Sequence, residues 1–309
     1  MDRISIVLAS DNNYAQHVAV ACVSVLKNAS YPEHIDIYVL SDAIAAAQRS
    51  RIEKTVLSLG GHISFIEADS AALQGFVSGH LSKAAYLRLL IPQLLPEHVQ
   101  KAIYFDTDLV VLDDVETLWN ISLQGYPLGA VCDYGIMASK RMRRQKRETI
   151  GLSEGKPYFN SGMLVIDTVQ WREKQYGQAV IDCISSNQFR HHDQDGLNMI
   201  FQNHWLPLPL RWNIIPPVFS LPLKVFLCSD MRKEAVQALK SPAVFHWAGR
   251  YKPWEFSVSS LFNSLYYTYL QYTEFKDVSM PQPGKDMKGK SIRRQEWRMK
   301  WAHFWTHIL

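Results

Sequence analysis

Two aspartates, Asp106 and Asp108, stand two positions apart in an otherwise apolar run, Ile103-Tyr104-Phe105-Asp106-Thr107-Asp108-Leu109-Val110-Val111-Leu112. Such a run is a costly place for charge, because burial strips water from each carboxylate. If the chain turns directly after a strand, both carboxylates face one cation, which offsets part of that cost. The spacing alone is weak. In a chain of 309 residues about one D-x-D arises by chance, and a second stands at Asp193-Gln194-Asp195. Turn or helix-capping carboxylates are the competing reading, and the apolar context favours the cation.

A third ligand candidate is His246, in Val244-Phe245-His246-Trp247-Ala248-Gly249-Arg250-Tyr251-Lys252-Pro253-Trp254. A single histidine after an apolar strand is usually a satisfied core residue. With Gly249 and Lys252, however, the segment reads as a glycine-loosened loop that brings an imidazole to a cation and an ammonium to a phosphate. Two carboxylates and an imidazole favour Mn²⁺ modestly over Mg²⁺, since nitrogen ligation suits the softer ion. Near the start, Ala9-Ser10-Asp11-Asn12-Asn13-Tyr14 offers acidic, amide and aromatic groups that could read a nucleoside. Equally, Asp11 or Asn13 could only cap the helix that follows.

These groups need elements to position them. The first hundred residues alternate apolar runs with helix-period stretches, the pattern of a parallel sheet with crossover helices and hence an α/β fold. Strands are expected at Ile4–Ala9, Ile35–Leu40, Ile63–Glu67 and Ala102–Phe105, with helices over 15–28, 43–59 and 82–95, the last interrupted at Pro92. Open α/β sheets bind ligands beyond the carboxyl ends of their strands, and Asp106 lies just past such an end. Further on come a turn-rich stretch through Tyr158-Phe159-Asn160-Ser161-Gly162, a strand at Met163–Asp167 and a helix over 194–203. The proline-rich segment 205–228 suits an irregular wrap, 276–290 a linker, and 291–309 a last helix.

Composition narrows the class. With 47% hydrophobic residues the chain can bury a large core. Cys22, Cys132, Cys183 and Cys228 lie far apart with no C-x-x-C pair, so reduced thiols in a cytoplasm are expected rather than zinc or a disulfide framework. The opening apolar stretch is too short for a signal-peptide core. Net charge is +4, but residues 285–309 carry seven Lys/Arg against two Asp/Glu, leaving 26 bases against 27 acids in residues 1–284. A near-neutral body argues against nucleic-acid binding.

The ordered set A-S-D-N-N-Y (9–14), A-Y-L-R-L (85–89), Y-F-D-T-D-L-V-V (104–111), Y-F-N-S-G-M-L-V-I-D (158–167), D-Q-D-G-L-N (193–198) and H-W-A-G-R-Y-K-P-W (246–254) resembles glycosyltransferase family 8, in particular the bacterial lipopolysaccharide galactosyl- and glucosyltransferases. The similarity spans roughly residues 4–256, and six motifs in order are far more specific than any one. The resemblance implies a single GT-A domain over 1–275, a Rossmann-like and mainly parallel sheet flanked by helices, followed by an amphipathic helical tail over 276–309. It implies a retaining hexosyltransferase that uses Mn²⁺ with UDP-galactose or UDP-glucose. It would make Asp106, Asp108 and His246 the metal ligands. Ala9, Asp11, Asn13 and Tyr14 would face uracil and ribose, while Gly249 and Lys252, with Thr107 between the aspartates, would serve the diphosphate. Arg88, Asp106, Asn160 and Asp193 would surround the donor hexose, Gln194 would lie near the anomeric carbon, and Asp133 would stand on the acceptor side. Ser10 and Ser161 occupy places where relatives often carry alanine, a small change in both cases.

The expected mechanism follows from those residue types. Metal and Lys252 would stabilise the charge on departing UDP. Gln194 is an amide and a poor nucleophile, so front-face attack by the acceptor hydroxyl is favoured over double displacement through Asp193. A sugar nucleotidyltransferase would carry a glycine- and arginine-rich loop after the first strand, which Ala9–Tyr14 lacks; a non-catalytic UDP-sugar-binding protein is the other alternative. In the tail, Trp297, Trp301, Phe304, Trp305 and Ile308 fall on one helical face with Arg293, Arg294, Arg298 and Lys300 largely elsewhere. That reads as an anchor on an anionic membrane, against docking on the protein's own core or a second subunit. The expected setting is the inner face of the cell membrane, reached from the cytoplasm, with a saccharide or lipid-linked saccharide acceptor.

Overall fold

The computed structural model describes residues 3–68, 86–187, 189, 191–220, 229–249, 252–255 and 261–278. The first two strands are nearly continuous apolar runs, and the alternating direction of successive side chains sends them to two cores on opposite faces of one sheet. In β1 (Ile4–Asp11), Ile4, Ile6 and Leu8 join one core while Val7 and Ala9 join the other. Burying each large aliphatic side chain contributes about 1.5–3 kcal/mol, so a register slip would be heavily penalised.

The sheet runs β3 (His62–Glu67), β2 (Ile35–Asp42), β1, β4 (Lys101–Phe105), β7 (Phe159–Asp167), β6 (Leu128–Cys132) and β8 (Leu206–Leu208). Four neighbouring pairs are parallel; β7 is antiparallel to both β4 and β6, giving a mixed but mainly parallel α/β sheet, as the resemblance implies. Helices Ala15–Asn28 and Ala46–Leu57 pack beside the first strands, close to the expected bounds. A separate pair, β5 (Leu109–Val111) with β9 (Val244–His246), stands beyond the end of β4.

Three local expectations change. Asn160-Ser161-Gly162 is not a turn but the start of β7, where Phe159 and Asn160 pair with Cys132 and Val131 across a register shift. These polar residues read as a turn in sequence because most of their partners are distant: the Asn160 and Ser161 side chains and Ser161 N bond to Asp133, Asp193 and Gln194, while Gly162 N bonds locally to Asn160. The segment after 205 is more regular than expected. Leu206–Leu208 adds an outer strand, whose edge position tolerates Pro207, and Pro216–Ser220 is helical. At 86–94 the proline does not interrupt a long helix; Arg88–Leu90 forms a 3₁₀ turn and Pro92 sits in the first turn of Ile91–Leu94, where its missing N–H costs nothing.

The rest of the expected helix before residue 86, residues 221–228, and the expected linker and terminal helix from 279 onward lie outside the described residues. Among the described residues no helix is long and apolar enough to cross a membrane.

Candidate active site

Strand β4 ends at Phe105 and the chain turns through Asp106, Thr107 and Asp108 before entering β5. The turn is fixed by backbone bonds on both sides: Asp106 N donates to Gly162 O at 2.8 Å, and Trp247 N donates to Asp108 O at 2.9 Å. Because β5 pairs with β9 so that Leu109 faces His246, the imidazole arrives beside Asp108 from well over a hundred residues away. His246 Nε2 lies 3.1 Å from Asp108 Oδ1 and 3.8 Å from Asp106 Oδ2. One ligand atom from each of the three residues lies within 4.8 Å of the others, close enough to share one cation. The backbone leaves this space at Gly162, where a Cβ would stand 2.3 Å from His246 Cε1 and 2.7 Å from Asp106 Oδ2.

Lys252 Nζ bonds the other oxygen of Asp108 and donates to Trp247 O at 2.8 Å. Burial alone would raise the Asp108 pKa, but Lys252 and His246 outweigh it and hold the carboxyl well below the usual range. Burial likewise acts to lower the Lys252 pKa and is outweighed by Asp108, which raises it and keeps the ammonium charged. Gly249 takes φ +95°, a left-handed conformation that glycine adopts without strain. Thr107 is buried in the turn.

On the opposite side of Asp106, the buried Arg88 guanidinium spans two carboxylates. It meets Asp106 Oδ1 at 2.9 Å and Asp193 Oδ2 at 3.3 Å, and donates to Ser161 O at 2.9 Å. Burial would lower the Arg88 pKa, but the two carboxylates raise it, so Arg88 stays charged in all working conditions. Asp193 shifts upward, chiefly from burial, against the pull of Arg88. Tyr104 OH completes the shell by donating to Asp106 Oδ1 at 2.6 Å. Asp193 and Gln194 open helix His192–Phe201, whose N-terminal dipole favours the negative charge of Asp193.

Gln194, Asn160 and Asp133 form the next group. Gln194 Oε1 accepts from Asn160 Nδ2 at 3.1 Å and from Ser161 N at 3.2 Å, while Gln194 Nε2 donates to Asp133 Oδ2 at 3.1 Å. Asp133 Oδ1 accepts from Ile136 N, capping the short helix Tyr134–Met137. Below this group, Lys146 is buried and paired with Asp195, whose oxygens also accept from Tyr158 OH at 2.7 Å and His191 N at 3.0 Å. The second aspartate of Asp193-Gln194-Asp195 is thereby tied into the core rather than aimed at the site.

The expected nucleoside-side residues lie at the end of β1. Ala9 is buried in the strand, and Asp11 Oδ1 accepts from Asn13 N at 2.9 Å and Tyr14 N at 3.1 Å, capping the 3₁₀ turn Asn12–Tyr14, whereas the helix Ala15–Asn28 has no side-chain cap. Asn13 is exposed at the tip of this turn. Tyr14 stands edge-on to Trp254 at 6.1 Å between ring centroids, and Trp254 stacks on His17 at 3.7 Å. This aromatic group joins the start of helix Ala15–Asn28 to the loop that carries Lys252.

The structure therefore brings Asp106, Asp108, His246, Lys252, Arg88, Asp193, Asn160, Gln194 and Asp133 into one connected polar cluster, with Ala9–Tyr14 beside it and joined through aromatic rings. Sequence reasoning missed Gly162, Tyr104 and Asn213. Tyr104 was legible, since alternation puts it on the same strand face as Asp106. Asn213 carried no local signal between Trp212 and Ile214.

The sequence model of glycosyl transferase family 8 matches residues 5–257. General stress protein A of Bacillus subtilis is 32% identical over 282 residues, covering 89% of this chain and 96% of that protein. Lipopolysaccharide 1,2-glucosyltransferase of Escherichia coli is 26% identical over 255 residues, covering 81% of this chain and 72% of that protein. Among solved structures, the galactosyltransferase LgtC in complex with donor and acceptor sugar analogs superposes with a TM-score of 0.74 at 27% identity, covering 88% of this chain and 96% of that one.

Proposed function

This chain belongs to glycosyl transferase family 8, and from that premise we propose that it is a retaining transferase that moves galactose or glucose from a UDP-sugar to a saccharide acceptor in surface-glycan synthesis. The observation that carries this reading is the convergence of Asp106, Asp108 and His246 on one point, with Lys252 at its edge. Two carboxylate oxygens and one imidazole nitrogen suit Mn²⁺, with Mg²⁺ the weaker fit. A cation bound by these three residues supplies Lewis-acid neutralisation of the diphosphate's charge.

The chain's own groups account for the rest. Lys252 places a permanent positive charge where the leaving phosphate oxygens gather, stabilising charge that grows as the glycosidic bond breaks. Asp11, Asn13 and Tyr14, with Ala9, face the nucleoside, and Gly249 and Thr107 leave room beside the diphosphate. Arg88 orients Asp106 and Asp193 so that their outer oxygens can meet the hexose hydroxyls, with Asn160 alongside. Gln194 is an amide whose Oε1 accepts two hydrogen bonds and whose Nε2 donates to Asp133, which supports front-face attack by the acceptor hydroxyl. Asp193 is a poor nucleophile because Arg88 and Ser161 both hold its Oδ2. Trapping of a glycosylated Asp193 with a slow donor would overturn front-face attack.

The reading is tested by screening UDP-sugars for hydrolysis with added Mn²⁺. Hydrolysis of UDP-galactose or UDP-glucose by the wild-type chain, lost in Asp106→Ala, is expected; no turnover of any donor would leave a binding protein without catalysis and refute it. The basic, tryptophan-rich segment 285–309 is proposed to hold the enzyme on the anionic inner face of the cell membrane, near lipid-linked acceptors. Deleting it should release the protein from phosphatidylglycerol-containing vesicles and leave hydrolysis intact; unchanged vesicle binding would sink that part alone.

A further inference from the structure

Asn213 is 1% exposed and makes two side-chain hydrogen bonds, one to each half of the site. Its Oδ1 lies 2.9 Å from His246 Nδ1, and its Nδ2 lies 2.9 Å from Asn160 Oδ1. Both neighbours are themselves held. His246 N donates to Ile214 O at 3.0 Å and Ile214 N donates to Val244 O at 3.0 Å, which locks Asn213 in register beside β9. Asn160 Oδ1 accepts from Gly162 N at 3.0 Å, and Ser161 N donates to Gln194 Oε1 at 3.2 Å.

The backbone fixes the direction of every bond in this chain. A carboxamide can be turned end for end, but a backbone N–H can only donate. Gly162 N therefore requires an oxygen at Asn160, so the Asn213 atom facing that oxygen must be the NH₂ group. The Asn213 atom facing His246 must then be the oxygen, which requires Nδ1 to carry the ring proton. When a cation takes the place of any proton on Nε2, the lone pair freed there faces Asp106 and Asp108, and the remaining ring proton stays on Nδ1. Two carboxamides thus carry the polarity of one strand N–H to the imidazole, and a ligand histidine fixed through its other ring nitrogen binds metal more tightly.

We propose that Asn213 is a positioning residue with two separable effects: through His246 it sets the tautomer that binds the cation, and through Asn160 it holds the Gln194 end of the site in register with the cation end. The inference rests on the reading of Asp106, Asp108 and His246 as the metal site, and nothing in the sequence around residue 213 suggests it.

The test measures binding of Mn²⁺ alone, by the loss of free-ion electron paramagnetic resonance signal, on the full chain without donor. Asn213→Leu keeps the branched shape and the number of heavy atoms but has no polar atoms and bulkier methyl ends; it is expected to weaken Mn²⁺ about 10–100-fold while far-ultraviolet circular dichroism stays that of the wild type. Asn213→Asp keeps an oxygen toward Nδ1 but turns an acceptor toward Asn160 Oδ1. It is expected to bind Mn²⁺ at least as tightly as the wild type while losing about tenfold or more of its turnover. Histidine nitrogen shifts read the tautomer directly and guard against a variant that merely loosens the fold: His246 should be protonated on Nδ1 in the wild type and lose that preference in Asn213→Leu. Wild-type Mn²⁺ affinity in Asn213→Leu, or weakened affinity in Asn213→Asp, overturns the inference. A wild-type chain that binds no Mn²⁺ overturns the metal-site reading instead, so the two failures are distinct.

Discussion

Gly162→Ala adds one methyl group at the most crowded point of the site. The backbone there is ordinary extended strand without a positive φ, so alanine brings no conformational strain of its own. The new Cβ, however, would stand 2.3 Å from His246 Cε1, 2.7 Å from Asp106 Oδ2 and 2.9 Å from His246 Nδ1. Carbon atoms prefer separations of about 3.5–4.0 Å, so the imidazole must retreat by more than ~1 Å. It cannot swing freely, because Nδ1 is bonded to Asn213 and the backbone is paired in β9. Metal ligands tolerate displacements of about 0.2 Å, and a misplacement of ~1 Å at a reacting centre costs roughly 10²-fold in rate. Mn²⁺ affinity and Mn²⁺-dependent UDP-sugar hydrolysis should therefore both fall about 100-fold, with a stability loss of only about 1–3 kcal/mol from overpacking. Gly129→Ala is the control. It also lies in a strand, but the atoms nearest its Cβ would be the side-chain ends of Leu123 and Leu208 at 3.2 Å, far from the cation site, so it should cost stability and spare metal binding. Titration calorimetry with Mn²⁺ and urea unfolding separate the two effects; a Gly162→Ala protein with wild-type affinity and hydrolysis would show that the packing argument is wrong.

Removing one partner of the buried Lys146–Asp195 pair should be far more damaging than removing a surface charge. Lys146→Met leaves the Asp195 carboxylate buried with Tyr158 and a backbone N–H, and should cost about 3–5 kcal/mol in urea unfolding; a loss below about 1 kcal/mol would place it with surface pairs. His17 is held neutral by burial, its pKa lowered from 6.5 to about 3. The unfolded chain therefore takes up a proton that the folded chain refuses, and stability should fall from about pH 6.5 down to 3, by at most about 1.4 kcal/mol per unit. His17→Gln, which can still meet Tyr266 OH, should show a shallower loss over that range. Equal slopes for the two proteins would remove His17 as the cause.

How much of this was legible in the chain differs from element to element. Apolar runs and helical patterning placed the first three strands and the helix Ala15–Asn28 almost to the residue, because β1, β2 and that helix bury apolar side chains that local sequence encodes, and β3 packs its half-buried Ile63 and Phe65 against the same core. The same patterning marked Asp106 and Asp108 as out of place, since charge at the end of an apolar strand needs a reason. It could not tell a turn from a strand at Asn160-Ser161-Gly162, where polar residues are satisfied by partners from elsewhere in the chain. Nor could it find Asn213, whose value lies in two bonds to residues more than thirty positions away. His246 shows the division most clearly. Its sequence made it a candidate, but only the pairing of β5 with β9 put its Nε2 beside the two carboxylates, and only Asn213 decided which nitrogen carries the proton. Pairing and tautomer are long-range outcomes of packing and hydrogen bonding. A residue's own neighbours in sequence carry no record of them.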